Sequence, residues 1–232
     1  MPAPFLSIII PVLNEAASIR AQLEGLQALR GKAVSLILVD GNSHDGTLEK
    51  ARPLVDQAIT APRGRAAQMN AGARSSMAEV LLFLHADTIL PPSAVDRVQE
   101  AFASGARWGR FDVRIDSTHG LLRIVERMMN WRSRLTGIAT GDQAIFVRRD
   151  LFEQIGGFKE LPLMEDIVLS ADLKRIAAPA CLRECVVTSG RRWEQHGVVR
   201  TILLMWRLRV QFFFGADPNK LAERYGYTLR EG

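Results

Sequence analysis

The sequence predicts an α/β fold, a mostly parallel central sheet flanked by helices. Three observations predict it. Short apolar, β-branched runs alternate with stretches of helical periodicity, the order of βαβ units. Those runs are continuously apolar, as strands covered on both faces must be. The 232 residues are 47% hydrophobic and 24% charged, an ordinary globular composition that excludes disordered, collagen-like and disulfide-scaffold chains.

The first strand is expected over residues 6–12. Asn14 offers an N-cap for a helix to about Leu29, with Ile19, Leu23 and Leu26 on one face and Gly31 closing it. Residues 34–39 form the second strand, which ends in the turn Asp40-Gly41-Asn42-Ser43, and a helix starts near Gly46. Another helix covers residues 65–75. The strand at residues 80–84 runs into His85-Ala86-Asp87, and Pro91-Pro92 introduces a helix through Phe102. The second half is less regular: a helix at 121–134, a strand at 144–147 and a helix at 167–176. Residues 198–214 form a helix that is apolar nearly all round, with Arg200, Arg207 and Gln211 on one stripe and Arg209 elsewhere. Such a helix is a core or dimer-contact element, or a membrane-surface element. No linker, repeat or low-complexity segment divides the chain, so a single domain over 1–232 is expected.

Thirty Lys+Arg against 25 Asp+Glu leave a net charge of +5. This favours a phosphorylated ligand, an acidic membrane or nucleic acid without choosing among them. The basic residues lack a nucleic-acid motif and an aromatic platform, so nucleic acid is the weakest of the three. Cys181 and Cys185 have no partner set at metal spacing and read as reduced thiols of a cytosolic protein. The apolar residues 8–10 run straight into Pro11, too short for a signal peptide or a span. A cytoplasmic location is therefore expected, with the late apolar helix leaving room for peripheral contact at the inner face of the membrane.

In open α/β sheets, ligands bind beyond the carboxyl ends of the strands. Three expected strands end there in polar groups: Asn14 and Glu15, then Asp40 and Ser43, then His85 and Asp87. Singly, each could be a helix cap or a turn residue; together they mark a site. No Gly-x-Gly-x-x-Gly follows the first strand and no Gly-Lys-Ser/Thr loop occurs, which excludes the common dinucleotide and P-loop sites. Gly64-Arg65 could open a helix toward a phosphate, or Arg65 could be a solvated surface residue.

These residues resemble a known family. Residues 8–15 (Ile-Ile-Ile-Pro-Val-Leu-Asn-Glu) and 39–47 (Val-Asp-Gly-Asn-Ser-His-Asp-Gly-Thr) look like the opening of family 2 glycosyltransferases. Leu84-His85-Ala86-Asp87-Thr88 stands where that family has Asp-x-Asp. Gly141-Asp142-Gln143, Met164-Glu165-Asp166 and Arg191-Arg192-Trp193 are similar to its later motifs, in the same order. The short chain and the His-Ala-Asp variant look most like the small stand-alone bacterial members.

The resemblance implies a GT-A type domain with a nucleotide-sugar half to about residue 90, an acceptor half to about 195 and a C-terminal helical segment. It implies that Pro11, Asn14, Glu15, Asp40, Arg65, Ala86 and Asp87 bind the nucleotide sugar, a UDP- or GDP-sugar. It implies Mn²⁺ or Mg²⁺ on Asp87; His85, which departs from the family by replacing the first acid, and His196, just after Arg191-Arg192-Trp193, are further candidate ligands. Asp142, Gln143, Glu165, Arg192 and Trp193 would form the acceptor site, and Asp166 would be the general base of an inverting transfer. The acceptor is open and could be lipid-linked; a homodimer is a further candidate assembly. Inversion by direct attack needs no protein nucleophile, which agrees with the absence of a Ser/His/Asp or Cys/His set. Nucleotidyl transfer to a sugar phosphate, or nucleotide-sugar binding without catalysis, are the alternatives.

Overall fold

Seven consecutive residues with no exposed side chain build the first strand, β1 (Leu6–Val12). The computed structural model describes residues 3–30 and 33–226. After β1 come α1 (Ile19–Leu26), β2 (Val34–Asp40), α2 (Thr47–Ala51), a 3-10 turn (Arg52–Leu54), β3 (Gln57–Thr60), α3 (Arg65–Ser75), β4 (Val80–Phe83) and β5 (Thr88–Ile89). The second half holds α4 (Ala94–Ala103), β6 (Trp108–Asp116), α5 (Gly120–Thr136), a 3-10 turn (Gly141–Gln143), β7 (Phe146–Arg148), α6 (Arg149–Gln154) and α7 (Glu165–Lys174). It ends with β8 (Ala180–Ser189), α8 (Arg191–His196), α9 (Val198–Phe213) and α10 (Pro218–Tyr225).

One sheet runs in the order β3-β2-β1-β4-β7-β6-β8-β5. The pairs β3–β2, β2–β1, β1–β4 and β6–β8 are parallel; β4–β7, β7–β6 and β8–β5 are antiparallel. The strands divide two apolar layers by their period of two. Ile8, Ile10, Leu36, Leu38 and Leu82 face α1 and α4, whereas Ile9, Ile37, Val39, Leu81 and Phe83 face α3, α6 and α7. α3 lies close on the sheet because its inner face is Ala66, Ala67, Gly72 and Ala73. A Cβ on Gly72 would stand 2.5 Å from a methyl of Ile9, so that helix could not approach with any larger residue.

The fold departs from the sequence expectation in three places. Asn14 is no N-cap: it sits at φ 55°, and α1 starts only at Ile19 behind Ser18. Its side chain is drawn instead to the loop after β2, where it accepts the His44 N–H at 3.0 Å. The helix also stops at Leu26, with turns to Arg30, and Gly31 lies outside the described residues. Four strands escaped the pattern: β3, β5, β6 and β8. β6 does alternate, with Phe111, Val113 and Ile115 inward against Asp112, Arg114 and Asp116, but Trp108-Gly109-Arg110 interrupts the signal. The late helix α9 is not buried on two sides; only Val198, Thr201 and Leu208 are buried.

Candidate active site

The chain runs from β1 outward through β2 to β3, then returns to place β4 on the other side of β1. A crevice therefore opens outside the carboxyl ends of β1 and β4, where connections leave in opposite directions. The loops after β1 and β2 are laced together across its rim. Asn14 N–H donates to Ser43 Oγ (2.9 Å), Glu15 N–H to Thr47 Oγ1 (2.8 Å) and Ala16 N–H to Asp45 Oδ2 (3.0 Å). The Thr47 hydroxyl and then the Ala16 N–H hold the Asp45 carboxyl below its ordinary value, because each hydrogen bond favours the charged form.

Pro11 is buried in β1, with Asn14 exposed and Glu15 half-buried beyond it. Asp40 is buried and accepts both the N–H and the hydroxyl of Ser43, at 2.9 and 2.5 Å. Arg65 is exposed at the first turn of α3. One residue that the motifs did not reveal holds this side together. Gln68, 4% exposed, donates its amide to the carbonyls of Val12 and Val39, both at 2.8 Å, and accepts the Gly64 N–H at 3.4 Å. A buried amide on a helix carries no sequence signal that separates it from an ordinary polar residue.

A second group forms around His85. Its Nδ1 lies 3.3 Å from Asp142 Oδ1, and its ring passes so close to Gly141 that a Cβ there would overlap Cε1 and Nε2. The imidazole is thus occupied by the Gly141-Asp142 turn. Burial pushes the Asp142 carboxyl up, but the His85 hydrogen bond and the charges of His85, Arg65 and Arg209 outweigh it and leave it below the ordinary value. Gln143 is fully buried; its carbonyl accepts the Thr140 N–H at 3.2 Å and completes the cap of the turn that presents Asp142.

Asp166 closes the group. Its Oδ2 accepts the Gly141 N–H and its Oδ1 the Ile167 N–H, both at 2.7 Å. His85, Gly141, Glu165 and Asp166 line one small pocket with Met69 and Phe83. Burial, and then the charge of Asp166, push the Glu165 carboxyl up. Met164, at φ 69°, and Ala144, at φ 46°, flank these turns in a left-handed conformation that costs non-glycine residues energy and gathers at working sites.

Ala86 is half-buried and Asp87 is exposed at the mouth of the crevice. Among the described residues the Asp87 carboxylate meets one side-chain partner, the Thr88 hydroxyl at 3.5 Å. Among the described residues no three His, Cys, Asp or Glu side chains are grouped to hold an ion. That donor set fits Mg²⁺ or Mn²⁺ held by one protein carboxylate with phosphate and water oxygens completing the shell, rather than an all-protein cage. His196 is exposed on α8. Trp193 packs half-buried against Ile115, Leu122 and Val198. Arg192 lies on α8, and its side chain is outside the described residues. Both cysteines are free thiols, and among the described residues no helix is long and apolar enough to cross a membrane.

Known proteins resemble this chain in sequence and in fold. The sequence model of glycosyl transferase family 2 matches residues 7–156. A dolichol-phosphate mannosyltransferase of Pyrococcus furiosus is 26% identical over 179 residues, 73% of this chain and 49% of that protein. A PGL/p-HBAD biosynthesis glycosyltransferase of Mycobacterium bovis is 34% identical over 173 residues, 68% of this chain and 64% of that protein. The chain thus spans about half to two thirds of these two relatives. Among solved structures, a mannosyltransferase from Pyrobaculum calidifontis in complex with GDP-Man and Mn²⁺ superimposes with a TM-score of 0.66 at 20% identity, covering 97% of this chain and 70% of the other. At that identity the likeness shows the fold, which is of the GT-A type.

Proposed function

The chain belongs to glycosyl transferase family 2, and from that premise we propose that it moves a sugar from a nucleotide diphosphate sugar to an acceptor hydroxyl, with inversion and with help from a divalent ion. The observation that carries this reading is the pocket in which Asp166 stands beside His85 and the Gly141 turn, with the exposed Asp87 two residues after His85. Each Asp166 oxygen accepts one backbone N–H and keeps a second lone pair for a substrate proton. The acceptor oxygen attacks the anomeric carbon as the bond to the diphosphate oxygen breaks. The hydroxyl proton passes to Asp166, and the electron pair leaves on the diphosphate. An Mg²⁺ or Mn²⁺ ion, held by Asp87 and the diphosphate, would supply Lewis-acid stabilisation of the leaving group. The crevice between β1 and β4 takes the nucleotide, a uridine or guanosine diphosphate, along the Asn14, Asp40 and Arg65 side.

The test is release of nucleoside diphosphate from a panel of UDP- and GDP-sugars, with Mn²⁺, Mg²⁺ or EDTA. Asp166→Asn keeps the size and the two N–H contacts but removes the proton acceptor. It should slow transfer roughly 10²–10⁴-fold with diphosphate affinity unchanged. Near-normal transfer by this variant rejects Asp166 as the base, and tighter binding of ADP than of UDP or GDP rejects the donor assignment.

A bilayer surface as the location of the acceptor is supported by two apolar stripes. Leu121, Ile124, Met128, Trp131 and Leu135 stand exposed along α5, and Leu203, Trp206, Val210 and Phe213 along α9, with Phe214 just past its end. The two helices pack through Leu122, Val125, Val198 and Ile202. Exposed Arg127, Arg134, Arg200 and Arg207 lie among them, the pattern of an interfacial element on anionic lipid. Arg209, off the stripe of Arg200 and Arg207, turns inward, its Nε shielded from solvent.

A further inference from the structure

Three arginines from three separate elements gather on the Asp166 side of the site. Arg110, on β6, is fully buried and forms an ion pair with Asp112, a carboxylate it shares with Arg134; it also donates to the Asn130 carbonyl at 3.1 Å, while its Nε has no partner. Among the described residues Arg132, on α5, and Arg209, on α9, form no such ion pair. Nε and Nη2 of Arg132 and Nε of Arg209 are shielded from solvent and have no hydrogen-bond partner. The charge of Arg132 is felt by, and feels, Arg209, Asp166 and Arg110, and Arg209 in turn acts on Asp142. Burial first, and then the charge of Arg209, bring the Arg132 guanidinium down to about 10, still cationic at neutral pH.

A folded protein leaves a buried guanidinium N–H unpaired only at a cost, and two neighbouring cations add repulsion to it. Against Arg132 and Arg209 stand the carboxylates of Asp166, whose oxygens already accept Gly141 and Ile167 N–H groups, and of Asp142, which is already paired with His85. The cluster is therefore short of negative charge and of acceptor atoms at one spot. Guanidinium forks match the oxygens of a phosphate. Both side chains are only partly buried. The carboxylates they influence are Asp142 and Asp166; Arg65 also acts on Asp142, so the spot adjoins the nucleotide side and diphosphate affinity must be followed separately.

We propose that Arg132 and Arg209 form a binding site for a phosphate monoester carried by the acceptor. The inference rests on reading Asp166 as the transfer base and deepens it: the acceptor is anchored by its charge next to the residue that takes its proton. Trp131 and Val210, adjacent in sequence to the two arginines, belong to the exposed apolar stripes. The phosphate can accordingly come from an amphiphile or from a soluble metabolite, and the chemistry at the arginines is the same.

The experiment measures binding, not transfer. The full chain, saturated with UDP or GDP and Mn²⁺, is titrated calorimetrically with glycerol 3-phosphate, with decyl phosphate and with neutral decyl maltoside. Wild type should bind at least one phosphate ester and not the maltoside. Arg132→Gln and Arg209→Gln should each weaken that binding tenfold or more, Lys at either position should restore part of it, and diphosphate affinity should not move. Without phosphate, Arg132→Gln should melt at or above the wild-type temperature, since it removes an unpaired buried cation. Preference for decyl phosphate assigns an amphiphile, and equal binding a soluble ester. Absence of phosphate binding by wild type, wild-type binding by both Gln variants, or loss of diphosphate affinity instead, each overturns the proposal. Phosphate binding that persists while Asp166→Asn transfers normally would leave the anion site standing and remove only the base assignment.

Discussion

Gln68→Met isolates what one buried amide contributes to the nucleotide side of the crevice. Methionine nearly matches the glutamine in volume, so little cavity forms and the change is chiefly the loss of donors. Two hydrogen bonds of 2.8 Å disappear, to Val12 and Val39 carbonyls. Val12 keeps a second donor, the Gly41 N–H at 2.9 Å, so its loss falls at the low end. A buried hydrogen bond contributes about 1 kcal/mol net, and a carbonyl left without a donor costs about 1–3 kcal/mol. The sum for Gln68→Met is about 2–3 kcal/mol, or roughly 5–10 °C in melting temperature for a chain of this size. Gln68→Ala adds a cavity and should cost about 1–2 kcal/mol more. Urea denaturation reads the first value as a lowered midpoint at constant slope. Because Gln68 also accepts the Gly64 N–H ahead of Arg65, nucleoside diphosphate affinity should fall with it. A Gln68→Met variant within about 0.5 kcal/mol of wild type, well below the loss expected for an unmade buried bond, refutes the clip.

Glu165→Gln should stabilise the protein above the ordinary glutamate value of 4.5. Burial and Asp166 raise this carboxyl in the folded chain, so the native state binds its proton more tightly and loses stability as pH rises through that window. The gain in melting temperature should therefore grow from acidic to neutral pH, and a gain independent of pH would contradict the assignment. Asp87→Ala should leave stability within about 0.5 kcal/mol, as an exposed position does, while removing the Mn²⁺-dependent part of diphosphate affinity in calorimetry. Full metal dependence in this variant moves the ligand elsewhere. Anionic vesicles should sediment the wild-type protein at low salt and release it at high salt, and Leu203→Asp with Trp131→Asp should not sediment. A stable dimer in solution with no vesicle binding would assign the apolar stripes to a subunit contact.

Local chemistry made much of this protein legible from its residues. β1, β2 and β4 are buried on both faces, so their apolar runs are continuous and could be little else. The groups at their ends, Asn14, Asp40, His85 and Asp87, are found by the same logic, because a parallel sheet gathers the carboxyl ends of its strands. The motif order carried Asp142, Glu165 and Asp166 to the same site. Tertiary contact decided the rest. Asn14 looked like a helix cap because capping is a local pattern, yet His44 and Ser43, far along the chain, claim it. His85 stands at the metal-ligand position of a motif, but the absent Cβ of Gly141 and the carboxylate of Asp142 hold its ring. Arg132 and Arg209 are unremarkable in a chain rich in arginine, and α9 alone is only an apolar helix with basic residues. Their meaning lies in which of their nitrogen atoms are buried without a partner. Hydrogen bonding and burial are properties of three-dimensional neighbours, and a periodicity or a motif records only neighbours along the chain.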